Sequence, residues 1–211
     1  MKVISTNLAK PVFFEWNGET HSTGIFKYPV DQALTLQQEI VEDDTIADRR
    51  VHGGIFKACY LFSSNNYPYW KEKYPNLDWK WGMFGENLTV EGLDEAQLKI
   101  GSKYRLGSAL LQITQPREPC YKLGYRFGNQ DILGQFIEHA CPGTYVRVLE
   151  TGQVEKGDTL ELFEESESPL TIKQFYNLLF SRQKDKELLR LAVENDALPL
   201  RKREKLKKFL K

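Results

Sequence analysis

A cysteine held among prolines and cations is the residue of this chain with the most chemical potential. It sits in Gln115-Pro116-Arg117-Glu118-Pro119-Cys120-Tyr121-Lys122-Leu123, after the strand-like run 109–114. Proline fixes its own φ and pushes the residue before it into an extended conformation. The pattern therefore predicts that the thiol lies on a stiff loop rather than in a packed helix. Arg117 and Lys122 favour thiolate over thiol, and the thiolate is the form that attacks electrophiles and binds metals. A reactive or metal-ligating cysteine and an inert loop cysteine beside chance charges both fit this local context.

Two further stretches have residue types suited to binding. In Val51-His52-Gly53-Gly54-Ile55-Phe56-Lys57-Ala58 the paired glycines make a turn that lets backbone approach a ligand closely. Exposed N–H groups on such a turn can cradle a phosphate, and Arg49, Arg50 and Lys57 surround it. A Gly-Gly turn with basic neighbours is also a common plain loop. His52 is able to donate a hydrogen bond or deliver a proton; equally, it can cap the turn. In Gly82-Met83-Phe84-Gly85-Glu86-Asn87-Leu88-Thr89 the amide of Asn87 offers both a donor and an acceptor. The plainer reading has Asn87 and Thr89 bonding local backbone at a strand start. Phe84 reads as packing, and Glu86 as a partner for one of the basic residues.

The remaining candidates read as structural. Cys59 lies in the apolar run Ala58-Cys59-Tyr60-Leu61-Phe62, and Cys141 ends a helix before Pro142-Gly143. His21 and His139 lack partners in sequence. Trp70, Trp79 and Trp81, with Tyr67, Tyr69 and Tyr74, are most simply core, although a few of them could line a pocket for a planar, purine-like substrate by stacking.

The three motifs together, in this order and spacing, resemble the MOSC domain family, named after the C-terminal domain of molybdenum cofactor sulfurases. The resemblance is to its stand-alone bacterial YiiM-like group and covers essentially the whole chain. Ile55-Phe56 departs from it, because the family usually has a proline and an acidic or polar residue there. The resemblance implies a molybdenum cofactor, Mo-molybdopterin, with Cys120 as the protein's thiolate ligand to the metal. Soft sulfur donors agree with that assignment. It implies a cofactor site made by Arg49, Arg50, His52, Gly53, Gly54, Lys57, Asn87, Arg117 and Lys122, with His52 and Cys120 at the chemistry. It also implies reduction of N-hydroxylated compounds such as hydroxylaminopurine-like base analogues. A cofactor or persulfide-sulfur carrier without reductase turnover is the alternative.

Composition sets the frame for these residues. The 211 residues suit one substantial domain with a small appendage. Lys plus Arg equals Asp plus Glu at 29 each, so no global field points to nucleic acid or a membrane surface. The apolar runs are too short to span a bilayer, and no secretory signal opens the chain. An odd number of widely spaced cysteines argues against a disulfide framework and for a reducing cytoplasm. No Gly-x-Gly-x-x-Gly is present, so electrons are expected from a separate reductase. Oligomeric state stays open, a homodimer included.

Patterning predicts how the residues are positioned. Residues 1–164 read as mainly β, with Val12-Phe13-Phe14-Glu15-Trp16 running into the hairpin signal Asn17-Gly18. Strands are also expected over 144–149 and 159–163. Helical inserts are expected over 64–74 and 130–140. Many short strands with glycine turns predict a MOSC-type β-barrel, mainly β with α. Beyond the polar linker 164–169, residues 168–211 predict a three-helix appendage. Ser168 or Thr171 is its first cap, and the helices cover 172–179, 186–193 and 202–210. They are too short to stand alone, and so are expected to pack on the barrel or on a second subunit. From Arg201 to the end there are seven basic residues and one acidic, which suits an acidic partner or a solvated helix face.

Overall fold

Strand β6 (Cys59–Ser63) is buried along its whole length, and its two faces belong to two different interiors. Side chains alternate across a strand. Cys59 and Leu61 therefore enter one apolar cluster, while Tyr60 and Phe62 enter an aromatic one. The computed structural model that shows this describes residues 1–45 and 53–210. Arg49, Arg50 and His52 lie outside the described residues.

Around β6 runs an eight-stranded sheet. Its members are β1 (Lys2–Ala9), β4 (Lys27–Val30), β6, β7 (Leu88–Glu91), β8 (Lys103–Leu106), β9 (Ala109–Pro116), β10 (Thr144–Glu150) and β12 (Glu161–Glu164). The order is β12-β8-β9-β10-β6-β7-β1-β4. The β6–β7 pair is parallel, with Leu61 opposite Leu88, and the other pairs of this sheet are antiparallel. Two small ribbons complete the β structure, β2 (Val12–Trp16) with β3 (Glu19–Thr23), and β5 (Leu34–Leu36) with β11 (Gly152–Val154). The β2–β3 turn has Asn17 at φ 52° and Gly18 at φ 80°, the left-handed pair that a tight hairpin demands.

The class is mainly β with α, but the expected barrel is corrected to an open sheet with β12 and β4 at its edges. β1 spends its outer edge on β4 from Thr6 to Ala9. Its first residues are left to meet the chain ahead of β12. Val3 N–H donates to the Asp158 carbonyl at 2.8 Å and Leu160 N–H to the Met1 carbonyl at 2.8 Å. Among the described residues these contacts draw the two sides together at one end without a continuous ladder.

Six α-helices are described: α1 (Tyr67–Lys73), α2 (Tyr121–Phe127), α3 (Ile132–His139), α4 (Ile172–Phe180), α5 (Lys186–Glu194) and α6 (Leu200–Lys207). The first three cover the aromatic side. Tyr67 and Trp70 of α1, Leu123 and Phe127 of α2, and Ile132 and Phe136 of α3 all join the Tyr60–Phe62 cluster. The last three cover the other side, except that Tyr176 of α4 reaches into the aromatic cluster. Ile172, Phe175, Leu178, Leu189, Ala192 and Leu206 lie in one cluster with Leu111 and Ile113 of β9, so the C-terminal helices pack on the sheet. Thr171 is the cap of α4: it accepts from Gln174 N–H at 3.2 Å, and the Gln174 side chain returns a bond to Thr171 N–H at 3.0 Å. No described helix is long and apolar enough to cross a membrane.

Phe175 is fully buried at this junction. Phe175→Ala is expected to destabilise the chain by about 3–5 kcal/mol through lost transfer energy and a residual cavity. Urea unfolding followed by tryptophan fluorescence checks it, the expected result being an earlier midpoint.

Candidate functional site

β9 ends at Pro116 and hands Arg117 directly into the aromatic side. The Arg117 side chain donates to the Phe84 carbonyl. Its guanidinium lies 5.3 Å from the Tyr60 ring centroid and 6.0 Å from that of Phe136. The residue is 6% exposed, and no carboxylate forms an ion pair with it among the described residues. Burial works against its charge, but the surrounding oxygen and sulfur groups of Tyr60, Tyr145, Cys120 and Glu86 outweigh it and hold the pKa above its usual value.

The Phe84 carbonyl is in place because of Glu86. This carboxylate is wholly buried and accepts from Tyr67 Oη at 2.5 Å, Thr89 Oγ1 at 2.9 Å, Gly82 N–H at 3.0 Å and Phe84 N–H at 3.1 Å. Burial pushes its pKa up, and these donors pull it back. Pairing of Glu86 with a basic side chain, expected from sequence, is therefore corrected: it binds backbone and hydroxyls and folds the 82–86 loop around itself. Gly82 at φ 84° is required there, since a Cβ would meet the Lys27 carbonyl oxygen at 2.8 Å.

Cys120 is the last residue of the loop that the prolines predict, and what the sequence reading lacked is the helix that begins right after it. The cysteine is extended, at φ −133° and ψ 167°, and helix α2 starts at the next residue. Leu123 N–H already donates to the Cys120 carbonyl at 2.8 Å. The overlooked signal is Gly128, which ends α2 in the left-handed conformation typical of a helix stop. Lys122, one residue into α2, donates to the Ser22 carbonyl at 2.9 Å and ties the helix to β3.

One cleft gathers Lys57, Asn87, Arg117, Cys120 and Lys122. Gly53 and Gly54 do not line it. Gly54, at φ 90°, shapes the turn from which Lys57 reaches the cleft, with Lys57 N–H donating to the Gly54 carbonyl at 2.8 Å. Lys57 lies over the Tyr145 ring at 5.4 Å. Burial depresses its pKa, and Lys202 adds repulsion while Glu118 opposes it. Asn87 spends its amide inside the protein: Oδ1 accepts from Tyr60 N–H at 3.2 Å and Nδ2 donates to Asp44 Oδ2 at 2.8 Å.

Sequence reading missed several residues of this cleft, Lys27, Asp44, Tyr60 and Tyr145 among them. Lys27 and Asp44 form a buried ion pair that no local motif announces. It also missed the contact between α6 and the cysteine loop, where Lys202 pairs with Glu118 at 2.6 Å.

The other cysteines are unsuited to thiolate chemistry. Burial drives the Cys59 pKa far above the usual thiol range and pushes Cys141 up to about 11. Cys120 is partly exposed on the cleft.

A MOSC domain model matches residues 48–161. The chain belongs to the MOSC domain family. It is 40% identical over 175 residues to the uncharacterized protein YflK of Bacillus subtilis (strain 168), covering 83% of this chain and 78% of that one. The crystal structure of YiiM from Geobacillus stearothermophilus is similar with a TM-score of 0.83 and 28% identity, over 100% of this chain and 99% of that chain. A protein named "Reductase" from Gibberella moniliformis (strain M3125 / FGSC 7600) is 38% identical over 116 residues, 54% of this chain and 21% of that much longer protein. The MOSC match spans Lys57, Asn87, Arg117, Cys120 and Lys122, and it ends before α4.

This MOSC cleft makes a prediction about thiol access. In the native protein a small alkylating reagent should modify Cys120 well ahead of Cys59 and Cys141. Peptide mass spectrometry over a time course checks the order. Cys120→Ser should abolish the fast phase, while Cys59→Ser and Cys141→Ser leave it intact.

Proposed function

We propose that this chain is a molybdenum-cofactor-dependent oxidoreductase that reduces N-hydroxylated compounds, of the hydroxylaminopurine type, to amines. The observation that carries the reading is the cleft: the Cys120 thiol shares it with Arg117, a buried cation that no carboxylate neutralises among the described residues. A cation in that position suits an anion brought by a ligand.

The residues present fit a molybdopterin-bound metal. Among the described residues no three His, Cys, Asp or Glu side chains gather as a metal cluster. A metal beside Cys120 would therefore take one protein thiolate and further soft ligands from its own organic carrier, as a dithiolene provides. Arg117, Lys57 and Lys122 would offset the carrier's negative charge. When bound, the cofactor supplies two-electron redox chemistry next to the Cys120 sulfur. The rings of Tyr60 and Tyr145 wall the site, and burial holds both phenols neutral.

The relative named as a reductase supports a redox reading. Reduction of R–NHOH consumes two electrons and two protons and releases an amine and water. The electrons would come from a separate reductase, and the cationic surface of α6, joined to the cysteine loop through Lys202 and Glu118, suits an acidic one. Free cysteines throughout suit a reducing cytoplasm.

The test is to isolate the protein from a molybdenum-replete host, measure bound metal, and assay 6-hydroxylaminopurine with an artificial donor. Cys120→Ser should fold, and lose both metal and turnover. The Lys57→Ala, Arg117→Ala double variant should retain the cofactor at least tenfold more weakly, since a charge-assisted hydrogen bond contributes about 1.5–3 kcal/mol. Bound molybdenum without turnover in the wild type would point to a carrier. Wild-type metal retention in the double variant would refute the site.

A further inference from the structure

The cleft has a fourth cation, and its setting differs from that of Arg117 and Lys122. Lys27 lies on the edge strand β4 yet is only 5% exposed. Its ammonium bonds the Asp44 carboxylate. Asp44 is itself fixed by Ala9 N–H at 3.0 Å and by Asn87 Nδ2 at 2.8 Å. Three strands, β1, β4 and the start of β7, thus hold one carboxylate, and that carboxylate holds one lysine. Both side chains line the cleft that contains Cys120.

A buried ion pair is weak as a source of stability, because taking two charges out of water costs several kcal/mol per ion before their attraction repays it. It also adds no net charge, so it does nothing for anion binding that Arg117, Lys57 and Lys122 do not already do. What a fixed ammonium can offer in a cleft is a proton.

We propose that Lys27 is the proton donor of this site, positioned by Asp44 and Asn87, and that it protonates the oxygen leaving the substrate's N–O bond. The proposal rests on the reductive reading above. In that step the N–O bond breaks and two electrons enter from a protein reductase of the flavin or iron–sulfur class. The departing oxygen keeps its own hydrogen, takes one proton from Lys27 Nζ and leaves as water. The nitrogen takes the second proton from solvent and becomes the amine. Solvent then reprotonates the neutral Lys27.

Elimination narrows the donors of the cleft to the buried Lys27 and the half-buried Lys57, both with a pKa lowered by burial, and Lys27 is the choice because Asp44 fixes its ammonium in the cleft. Arg117 does not release a proton in a protein. Lys122 directs its ammonium to the Ser22 carbonyl, which is not part of the cleft lining. Burial makes Tyr60 and Tyr145 still weaker acids than a free phenol. Lys27 moves the useful way: burial lowers its pKa from the ordinary lysine value. Asp44 opposes that shift, with smaller contributions from Cys59 on β6 and from Glu86 ahead of β7. A lysine acid acts in its protonated form, so kcat should fall as pH rises through its pKa, and the lowered pKa brings that fall to lower pH than a surface lysine would.

Lys27→Arg tests the idea, because arginine keeps the charge and the partner but not the labile proton. The expected result is a kcat at least a hundredfold lower, the typical scale of general acid catalysis, with KM, bound molybdenum and melting temperature near wild type. An independent readout needs no activity. In ¹⁵N-lysine NMR of the cofactor-free protein, the Lys27 Nζ signal should titrate below the surface lysines, and Asp44→Asn should move it lower still. The alkaline limb of the wild-type kcat profile should shift the same way in Asp44→Asn, which covers the case of an arginine variant that fails to fold. Wild-type kcat in a folded Lys27→Arg protein, or Lys27 titrating with the surface lysines, would overturn this proposal while leaving the reductase reading intact. No turnover in molybdenum-loaded wild type would overturn both.

Discussion

A guanidinium buried among aromatic rings must have an acceptor, and the one it finds here is the Phe84 carbonyl. That bond organises the site. The carbonyl is available because Glu86 has drawn the N–H groups of Gly82 and Phe84 towards itself, at 3.0 and 3.1 Å. With the amide of Phe84 turned in towards the carboxylate, its carbonyl is left for Arg117. Two buried charges of opposite sign therefore never touch; a loop of backbone dipoles stands between them. The Glu86 charge is satisfied by the loop and Tyr67, while Arg117 keeps donor capacity for the cleft. A direct Arg117–Glu86 pair would satisfy both charges and remove that capacity.

This arrangement needs a sheet with two interiors. Phe84 stacks on Phe62 with centroids 4.2 Å apart, and Phe62 belongs to the strand whose neighbouring side chains face the other way into the aliphatic cluster. The aromatic side is rigid and rich in hydroxyls, so it can satisfy buried charge. The aliphatic side, covered by α4, α5 and α6, is a conventional apolar core. The two sides meet at α4, whose Phe175 and Tyr176 enter one cluster each, and at the Lys202–Glu118 pair, two residues from Cys120. The C-terminal helices thus stabilise the sheet from behind and also touch the loop that carries the thiol.

Local chemistry was legible in the sequence, and long-range closure was not. Asn17-Gly18 announced its hairpin and Thr171 its cap, because each depends on residues a few positions away. The thiol loop, the Gly-Gly turn and Asn87 were found through motif order, and Lys57, Asn87, Arg117, Cys120 and Lys122 do share a cleft. The open sheet was not legible, since it depends on how β1 divides its edges between β4 and the chain before β12. Helix α2 was hidden by the prolines before it, although Gly128 marked its end. Lys27 and Asp44 were invisible for another reason. They are joined to each other and to Asn87 by folding alone, and a formal net charge of zero conceals where charges are buried.

The contrast between Arg117 and Lys27 explains why one cleft keeps both. Each is a cation withdrawn from water. Arg117 has a carbonyl and ring faces but no carboxylate among the described residues, so its charge stays available to an incoming anion. Lys27 has a carboxylate, so its charge is spent and only its proton is exchangeable. Arginine suits the first position because it stays protonated and presents several donors in a fixed plane; lysine suits the second because its pKa moves when it is buried. Under the proposed roles, exchanging the two residue types would give an anion site able to lose its charge and a proton site unable to release its proton. On the proposed reading, the distribution of partners, more than the number of charges, divides this cleft into a part that binds and a part that supplies protons.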